Sequence, residues 1–109
     1  MTALFVVLTA CPPDHADRLA DALIAGQHAA CVTALPGARS TYRWQGAVQH
    51  EVETLLLVKV VAAQLDACLA ALETLHPYEV PELVVLPAER VNAAYLAWAS
   101  SGLPDTAQA

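Results

Sequence analysis

Basic residues are scarce in this chain. Five lysines and arginines stand against eleven aspartates and glutamates, for a formal charge of −6. Arg18, Arg39, Arg43, Lys59 and Arg90 are scattered, so the basic patch that nucleic-acid binding needs is missing. An acidic surface instead repels phosphates and raises the local concentration of cations. Cysteine is sparse too: Cys11, Cys31 and Cys68 lie far apart, are odd in number and form no C-x-x-C pair. That excludes a disulfide framework and a structural zinc site, and fits a reducing compartment. The apolar runs 4–8, 55–61 and 83–86 fall far short of the ~20 residues of a spanning helix, so no membrane partner is expected. The first stretch, "MTALFVVLTACPPDHADRL", lacks the basic residues that open a secretory signal and reads as a strand, which makes the cytoplasm the expected location. Nucleotide loops, G-x-G-x-x-G and G-x-S-x-G are absent as well. Cysteine, histidine and carboxylates exist, but nothing indicates an oxyanion hole, and no enzyme is expected.

Apolar residues are what the chain has in excess. They make up 57% of its 109 residues, while charged residues are 15%, against roughly 45–50% and about 25% in an ordinary domain. A chain of this length forms a single domain, here residues 1–109 with a polar tail from about residue 100 that frays. So small a domain buries only about two thirds of its unfolded surface, which directs part of the excess to subunit interfaces.

Patterning orders the elements. "ALFVVLTA" (3–10) is β-rich and stops at "CPPD", giving a first strand. A helix follows, with Asp14 as its cap and Leu19, Ala20, Leu23 and Ile24 on one face. From Ala30 a second strand runs with a bend near Pro36-Gly37 to a turn at Gln45-Gly46, and Val48–Val61 returns, with "LLLVKVV" too continuously apolar for a wet face. Arms of about 15 residues exceed the usual strand length of roughly 5–6, so part of this hairpin reaches beyond its own sheet towards a neighbouring subunit. Leu65, Cys68, Leu69, Leu72 and Leu75 repeat at helical spacing, "HPYEVPE" ends that helix, 83–86 is a fourth strand, and Val91, Ala94, Tyr95 and Trp98 suggest a short last helix. The order β-α-β-β-α-β predicts an α+β, ferredoxin-like antiparallel sheet with two helices on one face.

Several multi-residue blocks can be matched to a family. "ACVTALPGARSTYRWQG", then "LLLVKV", then "LHPYEVPELVVLP", with "YLAW" near the end, resemble the CutA divalent-ion tolerance family from about Thr9 to Trp98. The resemblance implies a compact homotrimer knitted by the long hairpins. It also implies binding of copper or other divalent metal ions in the response to metal ions, and a likeness to the PII signalling trimers. The alternative function is therefore a PII-like signal-transduction or scaffolding module, which takes a small ligand or the tail of an unknown protein partner in its intersubunit clefts.

The candidate residues follow from chemistry and from that likeness. Cys11, at the end of strand one before a helix, is a soft-metal ligand if its thiolate forms. The family associates a cysteine near this turn and the histidine of "HPY" with metal, here Cys11 and His76. Glu79 and Glu82 either add oxygen ligands or accept hydrogen bonds from turn amides. Tyr42, Trp44 and Tyr78 offer apolar bodies with polar tips suited to an interface cleft. Lys59, inside an apolar strand, either faces solvent or pairs with Glu79 or Glu82 across a cleft and shapes it. His15, His28 and His50 read as surface residues, Cys31 and Cys68 as core.

Overall fold

The computed structural model describes residues 2–102. Four strands, β1 (Leu4–Cys11), β2 (Cys31–Trp44), β3 (Ala47–Val61) and β4 (Val84–Pro87), form one antiparallel sheet in the order β2-β3-β1-β4. Between them run α1 (Ala16–Ala25) and α2 (Leu65–Leu75), and α3 (Ala93–Ser101) ends the described chain. The β-α-β-β-α-β order is as the pattern predicts. The last helix extends through Ser100 and Ser101, and the remainder of the expected tail, 103–109, lies outside the described residues.

Alternation in the strands sorts the sheet into two faces. Val7 and Cys11 of β1, Leu56, Val58 and Val60 of β3 and Val85 of β4 point one way and pack on Leu19 and Leu23 of α1 and Cys68 and Leu72 of α2. Fully burying one such aliphatic side chain stabilises by about 1.5–3 kcal/mol, so this layer is the main source of stability. The residues between them, Val6 and Leu8, Leu55 and Leu57, Leu35, Val84 and Leu86, carry the opposite face. It is apolar, and among the described residues it is covered at one end only, where α3 brings Ala99 and Tyr95 against Leu4 and Val61. Leu35, Val84 and Leu86 remain exposed.

The hairpin is long. After a bulge between Leu35 and Ala38, with Gly37 at φ +81°, pairing continues from Ala38↔Glu53 out to Trp44↔Ala47. The two-residue turn puts Gln45 at φ +50° and Gly46 at φ +81°, the mirror-image geometry whose twist matches that of paired strands. This arm stretches the molecule to 50 × 26 × 21 Å.

One expected contact is corrected. Asp14 does not cap α1: it lies in a short 3₁₀ turn, Pro13–His15, and α1 starts after His15 without a side-chain cap. The paired prolines Pro12 and Pro13 set that turn in place of a simple capped start.

Candidate functional site

A cleft of about 870 Å³ opens where three segments meet. The end of β1 gives Ala10, Pro12 and Pro13; the hairpin gives Ser40, Tyr42, Trp44, Glu51, Val52 and Glu53; the segment after α2 gives Pro77, Tyr78, Glu79, Val80 and Glu82. Cross-strand pairing explains the hairpin side, because Ser40, Tyr42, Trp44, Glu51 and Glu53 occupy alternate positions and so share one face. Four glutamates line the cleft, and none of its lining residues is Lys, Arg or His.

His76 explains why "HPYEVPE" is stiff. Pro77 disfavours the helical region for the residue before it, and His76 accordingly leaves α2 with φ −68° and ψ 135°. The residue is 6% exposed. Nδ1 accepts from the Tyr78 backbone N–H at 3.1 Å, which leaves the proton on Nε2 to donate to the Ala10 carbonyl at 2.9 Å. The Tyr78 ring leans on the imidazole, with centroids 4.8 Å apart, and its hydroxyl donates to Glu53 Oε2 at 2.6 Å. One relay of contacts thus ties β1, the wall and β3 together. Glu53 is 6% exposed, a carboxylate sunk into the cleft floor. Burial first, and then the bond to Glu53, raise the Tyr78 phenol above its ordinary value, so it stays a donor. Tyr42 lies beside Glu51 in the same way, its hydroxyl 3.5 Å from Oε1.

Cys11 sits behind this assembly rather than in it. Its side chain is fully buried on the helix-facing side of the sheet, and its thiol donates weakly to the Thr54 carbonyl at 3.7 Å. Burial, then Glu53 and Asp14, raise its pKa and keep it protonated. In this arrangement Cys11 has no opening to the cleft, and both His76 nitrogens are engaged by backbone groups.

Lys59 requires a correction. Its ammonium donates to Thr33 Oγ1 and to Cys31 Sγ at 3.9 Å, not to Glu79 or Glu82, and Lys59 does not line the cleft. Strand geometry is the reason: Lys59 is six residues beyond Glu53 along β3, about 20 Å, and directly opposite Cys31. Cys31, expected in the core, is half-buried on the open face, whereas Cys68 is core as expected. Tyr42, Trp44, Tyr78, Glu79 and Glu82 do meet in the cleft. Sequence reading missed Glu51 and Glu53. The available signal was "EVET", with carboxylates at alternate positions directly before a continuous apolar run.

The CutA1 divalent ion tolerance protein family model matches residues 4–102. The chain belongs to the CutA1 family. A divalent-cation tolerance protein CutA of Pectobacterium atrosepticum is 42% identical over 99 residues, covering 90% of each chain. Among solved structures, CutA from Synechococcus elongatus superposes with a TM-score of 0.91 at 37% identity, over 95% of this chain and 93% of that one. A protein described as PII-like CutA, from Nostoc, gives 0.83 at 33% identity, over 87% and 92%. The family is thus one of divalent-cation tolerance. Among the described residues no helix is long and apolar enough to cross a membrane.

Proposed function

We propose that this chain binds divalent cations, copper among them, in acidic clefts completed between the subunits of a homotrimer, and so takes part in the response to metal ions. The observation that carries this reading is the set Glu51, Glu53, Glu79 and Glu82 lining one cleft without a basic residue, with Glu53 almost fully buried. A buried carboxylate with no cation beside it is costly, and a divalent ion offsets that cost. Carboxylate oxygens suit hard and borderline divalent ions; a thiolate and an imidazole suit copper. His76, behind the wall, and Cys11, on the helix-facing side of the sheet, are the proposed second contact, which a shift at the end of β1 has to open to the cleft. Reaching them requires loss of the Cys11 proton and release of the Tyr78 N–H by His76, so the glutamates meet the ion first.

The reading requires a second chain. Among the described residues of one chain, no three His, Cys, Asp or Glu side chains converge on a point fit for a metal ion, and a neighbouring hairpin is the proposed source of the remaining ligands. Trp44, Val48 and Val52 on the outer hairpin are exposed, as are Leu35, Val84 and Leu86 on the open face of the sheet. Calorimetric titration with copper(II) tests the site. Glu53→Gln is expected to weaken binding tenfold or more, about 1.4 kcal/mol, and the Cys11→Ala, His76→Ala double variant to lose the preference for copper over zinc. Unchanged affinity in both variants would remove these residues from the account.

A second reading, a signalling module, is favoured by one observation: Tyr42, Trp44 and Tyr78 stand among the four carboxylates. Aromatic faces beside negative charge select organic cations. A thermal-shift screen with metals chelated separates the two readings, since a ligand at 100 times its dissociation constant stabilises by about 2.7 kcal/mol. An absence of shift across amines and guanidines eliminates it.

A further inference from the structure

The two oxygens of the Glu53 carboxylate stand in different positions. Oε2 accepts the Tyr78 hydroxyl at 2.6 Å, while Oε1 has no hydrogen-bond partner among the described residues. The only fully buried side-chain polar atom without a partner among those residues is the Thr9 hydroxyl, which does not line the cleft. Oε1 therefore stays open to the cleft that Glu53 lines, on a residue otherwise sunk to 6% exposure. The phenol that occupies Oε2 is itself fixed. Its backbone N–H is bonded to His76 Nδ1 at 3.1 Å, its ring rests on the imidazole, and His76 is tied in turn to the Ala10 carbonyl. The neighbouring pair is looser: Glu51 is exposed, and the Tyr42 hydroxyl reaches it only at 3.5 Å. Glu53 is thus the one cleft glutamate with a buried, oriented carboxylate that presents a single free oxygen.

We propose that Tyr78 is a positioning residue that sets the ion selectivity of the cleft: by occupying Oε2 it makes Glu53 a one-oxygen ligand and disfavours calcium relative to smaller divalent ions. The inference rests on the cation reading given above and names what that site selects. Calcium collects roughly six to eight oxygens in a flexible shell and takes both oxygens of a carboxylate readily, whereas smaller hard ions build a compact octahedron. A two-oxygen grip requires both oxygens to face the ion. At Glu53 the second oxygen faces a phenol proton, and burial stops the carboxylate from rotating away from it. One oxygen is all that a compact octahedron asks of this carboxylate, and the hydrogen bond from behind orients that oxygen, as partners of metal-ligating groups do.

The test titrates the full chain, in its native assembly, with manganese(II) and with calcium by calorimetry; both ions suit carboxylate and water ligands, and manganese is the smaller. The parent is expected to prefer manganese. Tyr78→Phe is expected to lower that preference about tenfold, as calcium gains the freed oxygen and manganese loses its oriented one. A role for Tyr78 in folding alone would weaken both ions alike, so an unchanged ratio overturns the inference. A second measurement needs no variant: in crystals of the parent soaked in manganese(II), the anomalous peak is expected within bonding distance of Oε1 only, with Tyr78 still on Oε2. A manganese ion held by both oxygens, or a displaced Tyr78, overturns the inference too. The cation reading fails separately. A parent that takes copper(II) but neither hard ion overturns the selectivity inference alone, while a parent that takes none of the three overturns the reading and this inference with it.

Discussion

Glu53 sits at the last position of β3 that serves the cleft before the strand enters the core at Leu56. The only side-chain hydrogen bond its carboxylate accepts among the described residues comes from Tyr78, 25 residues away in sequence. Tyr78→Phe removes a bond to a charged acceptor and leaves that acceptor buried. With Tyr78 itself 37% exposed, the expected loss is about 1–2 kcal/mol in urea denaturation, and no change would show the relay to be slack. The same distance explains what the sequence concealed. "HPYEVPE" announced a rigid polar corner, and Tyr78, Glu79 and Glu82 were legible there, but Glu53 in "EVET" reads locally as an ordinary wet strand position. Cys68 gives a second residue-scale prediction. A thiol raised from 9.0 to about 11 favours the folded state fully below pH 9, and that contribution is lost as pH rises from 9 towards 11. The buried Cys11 thiol and the Tyr78 phenol, both raised, act in the same direction. Stability followed by denaturation from pH 8 to 11 is expected to fall, and less steeply in Cys68→Val.

The hairpin is the element that builds the site. Its register fixes which side chains share a face, and its turn fixes the register. Gly46 at φ +81° is the position least tolerant of a side chain, so Gly46→Val is expected to cost 1 kcal/mol or more, measured by thermal unfolding. A variant as stable as the parent would show that the tip contributes nothing to pairing. Sequence reading found the turn, the overlength of both arms and the break at Pro36-Gly37, because glycine and proline carry those signals locally. It failed at Asp14, where acidic character suggested a cap but Pro12 and Pro13 impose a 3₁₀ turn. It failed also at Lys59, where the choice between solvent and carboxylate left out the cross-strand neighbour. Only the register places Cys31 opposite Lys59.

For the molecule as a whole, the apolar excess is resolved into a place: one face of the sheet and one outer hairpin, exposed in the single chain. Light scattering is expected to give a mass near 35 kDa, roughly three times 11.5 kDa. Leu86→Glu, a charge on the exposed apolar face, is expected to shift that mass downwards because an uncompensated charge buried at an interface is costly. A folded parent of single-chain mass would contradict the shared cleft. The most direct test of cation capture is copper anomalous scattering from crystals of the assembled protein soaked in copper(II). The expected map has one copper per cleft, about 2 Å from a Glu53 carboxylate oxygen, with at least one ligand from a neighbouring copy. Copper confined to the surface histidines His15, His28 and His50, with the clefts empty, would contradict it.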